Sequence, residues 1–231
     1  MFQDDYPKEI LRGDIAAAVM QPRVDIVRFL VKRSPETART ADKVGDSLHH
    51  DAALVGAHEV IDVLVFGLGL DVNQSNNSGE TPIHIADSQG KVKVMERLMA
   101  RGADMDKVDQ SGDTPLYVAA AACRHKPEAY NFLLGQGASV DPRNGSNQTP
   151  LYLACQSEND DAVRSLLYHG ADPNIWADRM TGDRVGLRVM VNHEGDNVID
   201  STWEGLGDAP IHIAAIEGEC VQMLLDKGLY R

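Results

Sequence analysis

The sequence is poor in the residues from which most active sites and membrane anchors are built. Its three cysteines, Cys123, Cys155 and Cys220, are an odd number without paired metal-ligand spacing. That argues against a disulfide scaffold or zinc site, and for reduced, mostly buried thiols in a reducing cytoplasmic or nuclear compartment. No stretch approaches about 18 uninterrupted apolar residues, so nothing reads as a membrane span. The opening MFQDDYPKEI is acidic and lacks an apolar centre, so it is not read as a secretory leader. Basic residues are outnumbered, 22 Lys and Arg against 35 Asp and Glu, for a formal charge of −13. Such a field repels a phosphate backbone, so nucleic acid is not an expected partner. The largest basic group, Lys91, Lys93, Arg97 and Arg101, has the spacing of a solvated helix face. The acidity serves solubility or steers a basic protein partner, and both readings stay open. There is no nucleophile elbow, phosphate loop or dinucleotide fingerprint, and no catalytic spacing of Ser, His and Asp. Neither an enzyme nor a cofactor is expected.

What the sequence has instead is a period. Residues 76–108, NNSGETPIHIADSQGKVKVMERLMARGADMDKV, hold turn chemistry, a helix start, two short amphipathic helices and a glycine stop. Thr114-Pro115 follows Thr81-Pro82 by 33 residues, and Thr149-Pro150 follows after another 35. Ser47-Leu48 takes the same place 34 residues upstream, and Ala209-Pro210 takes it after a gap of 60. Gly45, Gly79, Gly112 and Gly207 precede that place by two residues, where a tight turn needs a permissive backbone. Threonine is suited to cap a helix, and proline at the first helical position loses no hydrogen bond. Ile83, Ile85 and Ala86 then start one helix, which Gly90 breaks. Val94, Met95, Leu98 and Met99 form the stripe of the next, which Gly102 stops. Self-similarity at this period marks stacked helix pairs.

The segments GETPIHIA, GDTPLYVA, NQTPLYLA and GDAPIHIA, closed by RGADMD, QGASVD and HGADPN, make the chain resemble ankyrin-repeat proteins. The resemblance implies an all-α solenoid of about six units forming a single domain over 1–231. A degenerate capping unit would occupy 1–41, and repeats 42–75, 76–108, 109–143 and 144–176. A 177–203 insertion would precede a last repeat at 204–231. In the insertion Val185, Leu187, Val189 and Val191 alternate with other residues and Val198-Ile199 follow a turn. A β-hairpin or an irregular surface loop both fit. The segment from Phe66 to Asp71 is one residue longer than the pattern, which puts its turn geometry in question.

The histidines invite a metal reading, above all His49, His50 and His58, but they lack a metal-ligand spacing. The resemblance implies a structural role for His50, His84 and His212, tying neighbouring loops together, with Tyr117 and Tyr152 in their place elsewhere. No metal site is expected, and a site from His193, Glu194 and Asp196 is the weaker alternative. The resemblance also implies that partners bind the fingertip turns and exposed inner-helix positions. The fingertip candidates are Ser75, Asn77, Ser78, Glu80, Val108, Gln110, Ser111, Asp113, Arg143, Ser146 and Gln148. The inner-helix candidates are Ser88, Gln89, Gln156, Ser157, Ile216 and Glu217. Trp176 also falls at a fingertip, where it either anchors an interface or packs under the insertion with Trp203.

The expected function is a non-catalytic module, monomeric on its own, that holds a protein partner on its concave face and insertion. Two alternatives remain. TPLYLACQSENDDAVRSLLYHGADPN resembles ankyrin and SOCS-box proteins, which present substrates to a ubiquitin ligase, although no SOCS box is seen. A bacterial ankyrin effector or acidic toxin inhibitor is the other.

Overall fold

The computed structural model describes residues 11–122, 127–157, 159–173, 175, 186–191 and 197–203. Its chain divides into two compact units, Met1–Asp104 and Met105–Arg231. The candidates His212, Ile216, Glu217, Trp176, and the group His193, Glu194 and Asp196 lie outside the described residues.

Unit 1 begins with helices α1 (Arg12–Met20), α2 (Val24–Arg33) and the short α3 (Pro35–Ala38). It continues with α4 (Leu48–Val55), α5 (His58–Leu68), α6 (Pro82–Ser88) and α7 (Val92–Ala100). The pairs α1–α2, α4–α5 and α6–α7 pack within themselves. First helices stack on first helices, α1 on α4 on α6, and second on second, α2 on α5 on α7. Unit 2 repeats the arrangement with α8 (Pro115–Ala122), α9 (Pro127–Gly135), α10 (Pro150–Gln156) and α11 (Asp160–Tyr168). Here α8 packs on α9 and α10, and α11 on α10 and α9. Strands β1 (Gly186–Val191) and β2 (Asn197–Trp203) pair antiparallel, with a register irregularity between Gly186 and Arg188. No helix among the described residues is long and apolar enough to cross a membrane.

The helices form where the residues dictate. Thr81 and Thr149 are extended, at φ −99° and −98°, and proline follows each as the first helical residue. The Thr149 hydroxyl accepts the Tyr152 amide at 3.2 Å, satisfying one donor of the first turn. On α7, Val94, Met95 and Leu98 are buried while Lys93, Glu96 and Arg97 are exposed, a 3.6-residue stripe. Small side chains set the close approach of first helices: Ala52, Ala86, Ala119 and Ala154 are fully buried. Leu48, Ile61, Leu64, Ile83 and Leu98 fill unit 1, and Leu116, Leu133, Leu151 and Leu166 fill unit 2. Each such residue contributes about 1.5–3 kcal/mol by leaving water. The overlong Phe66–Asp71 segment is absorbed by helix rather than turn. α5 runs through Gly67 to Leu68, giving 11 residues where α7 has 9, and ends on Gly69 at φ +61°.

Candidate functional site

Each fingertip turn is built from one Asp or Asn five residues before the Ser or Thr cap of the following helix. Asp42 Oδ1 accepts the amides of Val44 and Asp46, both at 2.9 Å. Asn76 takes Ser78 and Glu80 in the same way, Asp109 takes Ser111 and Asp113, and Asn144 takes Ser146 and Gln148. A backbone bond closes each turn, as from the Asn76 amide to the Glu80 carbonyl at 2.9 Å. A short carboxylate or amide replaces the backbone acceptor that a turn cannot supply. This keystone was not singled out from the sequence, although its signal, an Asx residue at a fixed distance before each Thr or Ser cap, was there.

The glycine position in these turns has the expected geometry. Gly45, Gly79 and Gly112 stand at φ +85°, +82° and +81°. At Gly112 a Cβ would lie 2.8 Å from the Gly145 amide nitrogen, so conformation and space both demand glycine. In the next repeat Asn147 takes the left-handed role at φ +60°, a conformation Asn tolerates better than most side chains. Neighbouring turns are joined. The Asn77 amide donates to the Val44 carbonyl at 3.0 Å, and the Gly145 amide to Ser111 at 2.7 Å. Asn76 Nδ2 reaches Asp46 at 2.9 Å, and Asn144 Nδ2 reaches Asp113 at 2.8 Å.

The histidine position ties loops by a readable mechanism. His50 Nδ1 accepts the Ser47 amide at 3.1 Å, so the ring proton sits on Nε2 and is donated to the Glu80 carbonyl at 3.0 Å. One side chain thereby fastens its own helix start to the next turn. His84 Nδ1 likewise meets its own cap residue, with the Thr81 amide at 3.1 Å and its hydroxyl at 2.8 Å. Where tyrosine replaces histidine, Tyr117 donates its hydroxyl to Gln148 Oε1 at 2.9 Å, and burial pushes its pKa up. His49, one residue before His50, is different. It is fully buried, and neither ring nitrogen has a hydrogen-bond partner among the described residues. Burial pushes its pKa down to about 4, with the His50 charge adding and Asp71 opposing. His50 is thus committed to two loops and His49 to the core.

At the other end of each pair a second ladder runs. Asn73, Asp106 and Asp141 accept the amides of Asp104, Ser139 and Asp172 at 2.8, 2.9 and 3.0 Å. Burial raises the Asp141 pKa, against the bond from Asp172.

These bonds sort the candidate contact residues. Ser75, Asn77, Ser78, Val108, Gln110, Ser111, Arg143, Ser146 and Gln156 are exposed. Ser88, Gln89 and Ser157 are half-buried at the C-terminal ends of the first helices. Glu80, Asp113 and Gln148 are half-buried too, and their side chains hold Asn76, Asn144 and Tyr117. They staple turns as well as facing outward. The residue after each His or Tyr was overlooked in the sequence. Ile85, Val118 and Leu153 occupy that place and are only part-buried, so one apolar side chain stands among the polar candidates of each of these repeats. In α4 the same place is Asp51, which Arg12 pairs at 2.8 Å. The Asp51 pKa is nevertheless raised, because its burial outweighs that partner.

A family model described as ankyrin repeats (3 copies) matches residues 49–144 and 86–176, which together exceed half of the chain. Alpha-latrocrustotoxin-Lt1a of Latrodectus tredecimguttatus is similar at 28% identity over 89 residues. The matched segment is 38% of this chain and 6% of that protein, so the chain spans a small part of this relative's length.

Proposed function

The chain belongs to the ankyrin-repeat family, and we propose that it is a non-catalytic module that grips one protein partner on its fingertip turns and first-helix faces. Ankyrin repeats are in general protein-interaction modules. The observation that carries the reading is the state of the turns. Asp42, Asn76, Asp109 and Asn144 satisfy the turn amides internally, so the exposed ends of Asn77, Ser78, Gln110, Ser111 and Ser146 stand on a backbone already held in place. A partner that meets such a surface does not have to order it, which lowers the entropic cost of binding. The part-buried Ile85, Val118 and Leu153 add apolar contact beside those polar ends. The 177–203 insertion and Trp176 belong to the proposed surface as well, and so does a preference for a basic partner.

Cross-linking capture by the full chain, followed by mass spectrometry, tests this reading. A partner held by the full chain should be lost when Asn77, Ser111 and Ser146 are changed together to Arg, or when 177–203 is deleted. Capture that survives both changes, or no captured partner at all, overturns the proposal.

A further inference from the structure

We propose that the groove between α2 and α5 is a second docking surface, shaped for an acidic, apolar-faced helix of a partner protein. The groove has a volume of about 630 Å³ and lies wholly within unit 1. Val24, Arg28, Val31 and Lys32 line one side, and Glu59, Asp62, Val63, Phe66 and Gly67 the other. Both sets follow helical spacing, so the groove runs along roughly two turns of each helix, about 12 Å. Its floor is apolar, since Val31 and Val63 are 3% and 8% exposed. Phe66 stands at its edge, 72% exposed, with the Arg101 guanidinium 4.2 Å over its ring. Exposed aromatic rings beside arginines are typical anchors of interfaces.

The charges choose the occupant. Asp62 is neutralised from outside the groove by Arg97 at 3.1 Å and Arg101 at 2.8 Å. Those two arginines are therefore engaged with the neighbouring helix, and are not simply the solvated face their spacing suggested. Arg28 and Lys32, one turn apart, make no ion pair among the described residues. The lining holds Arg28 and Lys32 against Glu59 and Asp62; with Asp62 already paired from outside, two cations face the one remaining carboxylate, on a chain whose formal charge is −13. A locally cationic, apolar-floored channel on an acidic molecule complements a helix with leucines on one stripe and carboxylates beside them. Gly67 keeps the wall low. A Cβ there would meet only Val31, at an ordinary 3.4 Å, so packing does not require glycine and a larger side chain would extend into the groove.

The test uses the full chain and a fluorescein-labelled 15-residue amphipathic peptide, with leucines on one face and glutamates elsewhere. A twin peptide carries lysines for glutamates. The glutamate peptide should raise anisotropy on binding, and added salt should weaken it. Gly67→Met, which plugs the groove, and Arg28→Glu/Lys32→Glu, which reverses its rim, should each weaken binding at least about tenfold. The double variant alters exposed side chains only, so it decides the matter should Gly67→Met disturb folding. Binding untouched by both variants, preference for the lysine peptide, no binding of either peptide, or attachment only to phosphatidylserine vesicles would each overturn the proposal.

Discussion

Unit 1 and unit 2 use the same helix pair and fill its core with different chemistry. At the position three residues into the first helix pattern, unit 2 has Leu116 and Leu151, both fully buried, and α6 of unit 1 has Ile83. α4 of unit 1 has His49 there, equally buried, with neither nitrogen partnered among the described residues. Four residues further on, Asp87 of α6 is fully buried where unit 2 has Ala120 and Cys155. Ties between loops differ as well. Unit 1 uses the His50 ring against a backbone carbonyl, and unit 2 uses Tyr117 against the Gln148 side chain. Unit 1 also carries ion pairs, Arg12 with Asp51, and Arg97 and Arg101 with Asp62. The repeat specifies slots, and a slot accepts any residue whose shape and bonding the neighbours can satisfy or bear.

The largest effect comes from removing that difference in the core. His49→Leu should stabilise unit 1 at pH 7 by about 1–3 kcal/mol, because an unsatisfied buried ring is replaced by the residue type used elsewhere. The gap should widen in acid. With its folded pKa about 4 and its unfolded value near 6.5, His49 adds no protonation cost to folding above pH 6.5, and that cost grows as pH falls toward 4, because only the unfolded chain takes up the proton. The added difference reaches about 3 kcal/mol. Asp87 acts in the opposite sense, since burial pushes its pKa well up and the folded chain holds the proton more firmly. Urea unfolding of the wild type and variant from pH 7 to 4 isolates His49, since Asp87 is common to both. A pH-independent difference would remove the buried-histidine explanation.

Next in size is the turn of unit 2. Gly112→Val should cost about 3 kcal/mol, combining left-handed backbone strain with a clash against Gly145. Asn147→Gly, at the matching slot, should shift the urea midpoint very little. A similar cost at both positions would mean that the turns are not equivalent.

The loop ties come third. His50→Leu strands the Ser47 amide and the Glu80 carbonyl and should cost about 2 kcal/mol, against about 1 kcal/mol for Tyr117→Phe. Thermal unfolding followed by circular dichroism ranks them, and equal losses would erase the distinction between ring and hydroxyl ties. Smallest is Asp62→Asn. Its partners are a quarter to a half exposed, so the melting temperature should move only slightly, by less than about 1 kcal/mol in stability terms. A large drop would show that the ion pairs of unit 1 compensate for its polar core.

The legible part of this molecule was local. The caps Thr81, Thr114 and Thr149, the glycines at φ near +80° and the stripe Val94-Met95-Leu98 could be anticipated from spacing, and the loop-tying role of His50 from the family resemblance. Each depends on neighbours within a turn or on a repeating slot. The less legible part depends on what crosses between repeats. That Asp113 and Gln148 hold other loops as well as face solvent requires knowing what stands 30 or so residues away. So does the engagement of Arg97 and Arg101 with Asp62, which spacing alone left as a solvated face.

The sequence by itself determined the repeat, the helix starts and stops and the family, because backbone sterics, capping and apolar periodicity act over a few residues. Only the tertiary structure decided that His49 is a buried ring in a core and that α2 and α5 leave an apolar-floored groove open between them. Burial and charge pairing are properties of surfaces brought together by stacking, and no window of sequence contains both sides.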